Sequence, residues 1–489
     1  MKNPKGFFFF YGMIVTKQWG DIMKRIIQFF RWQSMIQPSD ITGEMPSNRE
    51  LYRNTYQTAW PSAVESVLIA LISAVDMMMV GNLGPSAIAA VGITNQPKML
   101  VHATILALNV GVTVLLSRRK GAGKIEEANA YLAQAVTLSI CFSFFLSLTG
   151  AVFAPQILAF AGATPDYLPL SVTYFRILMF GNFFYLIGLT ITAGQRGVGN
   201  TRISMVTNLA ANGFNLVFNA LLINGLFFFP RLEVAGAAIA TAIGNIVSFL
   251  IAVYSVSHGD GFLHLKLSRL FRIDRKAIRD LYQLCWTAFV EQIFLRIGFF
   301  TYAKAVAGLG TLAFATHQIV MNCMSISFAV GDGLSIANSS LVGQHLGAGR
   351  KDLAVVQAKV SQRIGFLMAM VVSGIILVFN TRIMALFTND PQVIAMGRIP
   401  MMILSVTVFL QILQVIIVGG LRGAGDVKFV ALMMMVSVTL IRPQLTRLLS
   451  YGLQMGLLGA WISVFIDQSM RYLVSYLRFR QAKWTKIVV

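Results

Sequence analysis

A chain of 489 residues that is 56% hydrophobic and 12% charged lies far from the roughly 25% charged composition of soluble domains, and it excludes a water-soluble globular protein. Its 40 Lys and Arg against 19 Asp and Glu leave a net charge of +21, which suggests nucleic acid only until the charges are placed along the chain. Cys141, Cys285 and Cys323 are odd in number, fall inside apolar stretches and show no metal spacing, which points away from redox chemistry.

The first 56 residues are atypical. "FFFFYGMIV" is too short to span a bilayer and lacks a small-residue cleavage site, so it does not read as a signal peptide. The following "DIMKRIIQFFRW" alternates basic and bulky apolar residues at helical spacing, which suits either a helix lying on the inner membrane surface or a disordered tail.

Apolar stretches of spanning length then recur at 58–80, 90–116, 130–154, 168–190, 203–225, 235–256, 281–305, 311–341, 360–381, 394–418, 428–450 and 456–478. They predict twelve transmembrane helices. With both termini inside, most Lys and Arg fall on inner connections, while the outward ones offer mainly Arg231 and Arg382, with Arg398, Arg442 and Arg447 at span ends. That asymmetry is the positive-inside pattern. The excess charge then faces anionic lipid headgroups, and no nucleic-acid partner is expected.

The chain also repeats itself. A shift of 226 residues places Trp60 on Trp286, Glu65 on Glu291, Gly121-Ala122-Gly123 on Gly347-Ala348-Gly349, Pro165 on Pro391, Arg196-Gly197 on Arg422-Gly423 and Gly199 on Gly425. Six spans return a chain to its starting side, so the halves are parallel repeats about an axis along the membrane normal. The predicted organisation is a cytoplasmic N-terminal segment (1–56), a six-helix bundle (57–257), a cytoplasmic linker (258–280), a second bundle (281–480) and a cytoplasmic tail (481–489). "GAGK" and "GAGR" lack the first glycine and the hydroxyl of a phosphate-binding loop. They read as duplicated turn chemistry, in which glycines supply left-handed conformations and the following base anchors the loop at the headgroups.

"WPSAVESVLIALISAVDMMMVGNLGPSAIAAVG", "QPKMLVHATILALNVGVTVLLSRRKGAG", "GQRGVGNTRISMVTNLAANGFNLVFNALLI", "VAGAAIAT", "LVGQHLGAGR" and "GGLRGAGD" resemble segments of the multidrug and toxic compound extrusion (MATE) family over roughly residues 58 to 480. The resemblance implies twelve helices in two six-helix bundles, alternating access, and export of cationic or amphipathic compounds driven by inward protons or sodium. No cofactor is implied beyond the coupling ion. A monomer in the cell membrane, surrounded by lipid and handling small molecules, is the expected state.

An ionisable group at membrane depth costs at least about 2.5 kcal/mol and is a functional hypothesis by default. Glu65 and Asp76 are eleven residues apart, within about 20° of one helix face and roughly 16 Å apart along it. They are expected to couple cation movement, with Asp76 also a candidate sodium site; structural salt bridges are the competing account. Glu291, the repeat mate of Glu65, joins them, and the resemblance also favours a coupling acid in helix seven. Lys98 either neutralises Glu65 or competes with a cationic ligand. Asn109, Asn182 and Asn212 are expected to line the cavity, and Asp332 to make a local substrate or helix contact. Asp467 and Arg471, near the inner end of helix twelve, read as an i,i+4 pair.

Two other functions compete. A lipid-linked sugar flippase would need cations for a pyrophosphate, which Lys98, Arg176, Arg296 and Lys304 can supply. A membrane-embedded enzyme would need clustered His, Asp or Cys, whereas the five His are scattered with no HxxxH or HExxH, so an enzyme is not expected.

Overall fold

The computed structural model describes residues 28–81, 83, 85–226, 229–258, 261–270 and 272–487, excluding the side chains of 70, 71, 73–78, 80, 81, 85, 88 and 267. Twelve long helices carry the chain back and forth: α1 (Asn48–Gly81), α2 (Pro85–Gly121), α3 (Ile125–Val152), α4 (Leu168–Gly197), α5 (Thr201–Asn224), α6 (Glu233–Ser257), α7 (Arg275–Ala307), α8 (Thr311–Gly347), α9 (Lys351–Ala385), α10 (Pro391–Gly423), α11 (Val427–Gly452) and α12 (Gly456–Arg480). Each contains one of the predicted apolar stretches nearly whole, and most run further at one or both ends. Backbone groups in a bilayer must be satisfied within the segment, so the helices continue until headgroups and water can take over. Among the described residues, ten are long and apolar enough to cross a membrane on length and composition alone. α12 falls short because Asp467, Gln468 and Arg471 interrupt it.

The helix pairings obey the repeat. α2 packs on α4, α3 on α4, α4 on α6, α5 on α6 and α1 on α5; the equivalent pairs α8 with α10, α9 with α10, α10 with α12, α11 with α12 and α7 with α11 recur in the second half. Across the halves, α1 meets α8 and α7 meets α2, while α2 and α8 meet each other on the pseudo-twofold axis. The chain is thus an all-α, multi-pass membrane protein of two six-helix bundles. The α2–α3, α4–α5, α6–α7, α8–α9 and α10–α11 connections share one end with the start of α1 and the end of α12; we refer to it as the basic end.

Residues 1–27, including "FFFFYGMIV" and most of the amphipathic segment, lie outside the described residues. Residues 28–47 dock on α9 of the second bundle; the surface-helix expectation falls mostly on residues outside those described. Thr42 N–H donates to Asp352 (3.1 Å), Lys359 donates to the Met35 carbonyl (2.5 Å), and Arg350 to that of Glu44 (2.8 Å). Met35 is buried with Leu51, Val356 and Val360. Of the apolar residues in that segment that are described, Trp32 packs against this cluster and Phe29 lies against the Arg363 guanidinium of α9.

Candidate functional site

At the basic end the two bundles touch across the axis, and the Gly-Ala-Gly segments make the contact. Gly123 and Gly349 hold the left-handed turns the sequence predicts, with φ of 68° and 76°. Gly121 and Gly347 do something else. A Cβ on Gly121 would overlap the Gln344 carbonyl, one on Gly347 the Arg118 carbonyl, and one on Gly343 the Ser117 hydroxyl. Arg118 and Gln344 are themselves repeat mates, as are Ser117 and Gly343, so the clasp is self-complementary. Small residues let helix backbones approach where lipid provides no hydrophobic drive. Ser340 and Gln344 add hydrogen bonds to the Gly197 carbonyl (2.9 and 3.3 Å), and Arg118 donates to that of Ala424 (2.8 Å). The bases after each motif are also not simple lipid anchors: Lys124 pairs with Glu127 (2.7 Å) and Arg350 with Asp352 (2.9 Å).

Deeper in, each bundle pairs a buried carboxylate on its first helix with the equivalent arginine. Glu65 on α1 is 8% exposed and lies 3.9 Å from Arg196 at the end of α4; Glu291 on α7 is 1% exposed and lies 2.5 Å from Arg422 at the end of α10. The two pairs differ in detail. Ser204 accepts from Arg196 (2.8 Å) and donates to Glu65 Oε1 (2.9 Å), and Asn208 donates to the same oxygen (2.5 Å). Their repeat mates are Val430 and Met434, so Glu291 meets its arginine without a polar relay. All three of Glu65's partners engage Oε1, while Oε2 is buried with no partner. Asp332, on α8, has Arg196, Arg422 and Glu65 as its electrostatic neighbours. It is part-exposed.

The remaining predicted residues fall around this waist. His102 on α2 meets the Asn182 side-chain oxygen (3.0 Å), and Asn182 Nδ2 is buried without a partner. Lys98 and Arg296 are the charged neighbours of that imidazole. Asn109 is buried with both polar atoms unpartnered, and Asn212 is part-exposed on α5. Asp76 is helical, eleven residues beyond Glu65, just as Asn219 lies eleven beyond Asn208 on the neighbouring α5; its side chain, and with it the sodium expectation, lies outside the described residues. Asn219 donates to Asn215 (3.2 Å), which bonds Thr241 (3.1 Å).

Three residues escaped the sequence reading. Arg196 and Arg422 were visible only as repeat mates and as part of the positive-inside charge; the shared offset with Glu65 and Glu291 was the signal for their pairing. Arg442, placed at a span end, is 1% exposed in the middle of α11 and bonds Asp467 at 2.5 and 2.9 Å. Asp467 also takes Arg471 (3.0 Å) and the Ser437 hydroxyl. This cluster is mid-helix rather than at the inner end of α12, and π-turns at Met435–Ile441 and Leu448–Gly452 bracket Arg442. Such turns shift helical register, which hydropathy does not reveal.

Two duplicated bundles meeting at a buried, charged waist define a membrane transporter rather than an enzyme. The MatE family profile matches residues 61–221 and again 288–446, one match per bundle, and the chain belongs to the multidrug and toxic compound extrusion family. It is 26% identical over 440 residues to a probable multidrug resistance protein NorM of Thermotoga maritima, covering 90% of this chain and 94% of that protein. It is 26% identical to the multidrug resistance protein MdtK of Yersinia pestis, covering 88% and 95%. In fold it superposes with a TM-score of 0.83 on a solved multidrug resistance MATE transporter described as outward-facing, at 20% identity over 90% of this chain and 97% of that one.

Proposed function

We propose that this protein exports cationic or amphipathic organic compounds across the cell membrane in exchange for inward protons or sodium, by alternating access of the cleft between its bundles. The names of its NorM and MdtK relatives support the substrate class. The observation that carries the exchange is the waist: Glu65, Glu291 and Asp332 bring three carboxylates against the guanidiniums of Arg196 and Arg422. Taken by themselves, these five groups carry one negative charge more than they balance; Lys98 and Arg296, beside His102, stand outside that count.

A buried unpaired charge is strongly unfavourable, and one monovalent cation balances it. A proton seated on the unpartnered Oε2 of Glu65 does so, and so does an organic cation beside Asp332. Both at once overcompensate. Mutual exclusion of the two cations is what antiport requires, because each must leave before the other binds. Asp76, further along the same helix, extends the path for the small cation. With the basic end and both termini cytoplasmic, closure at the Gly-Ala-Gly clasp supports an outward-facing state, and the transporter works as a monomer. Residues 57–257 and 281–480 then rock as units about the linker at 258–280. A one-for-one exchange of monovalent cations moves no net charge, so its drive is the concentration gradient of the inward ion, about 1.4 kcal/mol for each tenfold ratio.

The flippase reading has less to stand on. Arg176 is exposed and donates to the Ala151 carbonyl (3.1 Å), and Lys304 is exposed as well; only Lys98 and Arg296 of the four proposed cations come together, beside His102.

In proteoliposomes loaded with ethidium, wild type is expected to respond to an imposed proton or sodium gradient. Glu65→Gln and Asp76→Asn each lower the gradient-driven rate at least about tenfold while leaving the protein folded. Efflux indifferent to both gradients, or intact in both variants, refutes the exchange.

A further inference from the structure

A second cavity, of about 920 Å³, lies away from the waist at the basic end, walled by the docked segment 28–40, α9 and α12. Its long axis follows α9. Lys351 stands at the helix start and Phe366 fifteen residues on, about 22 Å deeper at 1.5 Å per residue. Chemistry changes along that length. The mouth carries Lys351 and Arg480, both exposed, and the inner part is lined by Phe366, Leu413 and Tyr476. Midway, the Gln362 side-chain Nε2 is buried and has no hydrogen-bond partner.

Two acids also line the cavity, and neither reverses its sign. Asp352 is already bonded by Arg350 (2.9 Å) and by Thr42 N–H (3.1 Å), and Asp40 is exposed at the rim. Lys359 and Arg363 add positive charge while tying the docked segment to α9, through the Met35 carbonyl (2.5 Å) and the Ser34 hydroxyl (3.2 Å). Phe366 and Tyr476, each 39% exposed, open the inner part sideways, where Leu367, Met370 and Val371 continue an apolar exposed surface on α9.

We propose that this cavity binds one anionic phospholipid of the adjoining leaflet. Its phosphate sits between Lys351 and Arg480, an ester oxygen accepts from Gln362, and an acyl chain leaves past Phe366 and Tyr476 into the bilayer. Each part of the molecule meets matching chemistry: a surface anion attracted by juxtamembrane cations, a buried donor that otherwise lacks an acceptor, and an apolar exit. A cationic cargo would be repelled at the mouth. The proposal is independent of the transport reading, since none of these residues belongs to the waist.

The test uses the full-length protein, stripped of lipid in detergent. It is titrated separately with palmitoyl-oleoyl phosphatidylglycerol, with the phosphatidylcholine of the same chains, and with inorganic phosphate, reading retained lipid by native mass spectrometry and thermal stability in parallel. Phosphatidylglycerol should be retained at least fivefold better than phosphatidylcholine and should raise Tm. Lys351→Glu with Arg480→Glu should remove that preference. Gln362→Leu should weaken retention of both lipids, and Lys276→Glu, an exposed charge reversal elsewhere at the basic end, should leave both unchanged. Equal retention of the two lipids, or a preference that survives the double charge reversal, overturns the proposal. Full stabilisation by inorganic phosphate alone overturns the lipid as its source.

Discussion

Asp467→Leu is expected to destabilise the second bundle by about 3–5 kcal/mol, the range for stripping one partner from a buried ion pair. Asp467 is wholly buried and serves two guanidiniums, Arg442 on α11 and Arg471 one turn away on α12. Removing it leaves two positive charges, 1% and 8% exposed, beside each other with no acid between them. Arg442→Leu is milder, because Asp467 keeps Arg471 and the Ser437 hydroxyl. The order of the two effects is therefore the informative result. Thermal unfolding in detergent should place the Tm of Asp467→Leu well below that of Arg442→Leu, and the double variant should lie above Asp467→Leu. If Arg442→Leu is instead the more damaging single change, Asp467 is not what holds α11 to α12.

A large effect is also expected at the clasp. In the double variant Gly121→Ala and Gly347→Ala, each new Cβ meets a backbone carbonyl of the opposite bundle, Gln344 on one side and Arg118 on the other. A flexible side chain can swing aside, but a helix backbone cannot. Overpacking of this kind typically costs 1–3 kcal/mol, and here it falls only on the state closed at the basic end. The balance between states should shift by about tenfold or more, since 1.4 kcal/mol is a factor of ten. In a background freed of Cys141, Cys285 and Cys323, a cysteine replacing Ser340, fully buried in the closed interface, should be alkylated from the basic side at least tenfold faster when both alanines are present. An unchanged rate would mean that the glycines are not the closing contact.

These two sites show what the chain of residues reveals and what it conceals. The twelve helices were legible because each needs about twenty apolar residues to cross a bilayer, and that requirement overrides local propensity. The two-bundle symmetry was legible because Glu65, the Gly-Ala-Gly motif and Arg196 all recur at one offset. Symmetry alone did not show that Gly121 must approach Gln344, since a glycine needed for close packing and one needed for a left-handed turn look alike in sequence. Asp332 could be picked out as an intramembrane acid, but not that it would face both arginines. Arg442 was misplaced because π-turns on either side of it alter the register of α11. No signal near residues 28–47 showed that they dock, because the surface of α9 that receives them lies more than three hundred positions away.

The central claim is that one monovalent cation at a time neutralises the waist. It is tested most directly by counting ions released when a cation binds. The purified protein, weakly buffered and with a trace of radioactive sodium, is titrated with tetraphenylphosphonium while proton and sodium release are recorded together. The account predicts close to one proton or sodium ion released per cation bound, and at least about tenfold weaker binding in Glu65→Gln. Binding with no ion released, or binding by Glu65→Gln as tight as by wild type, would contradict it.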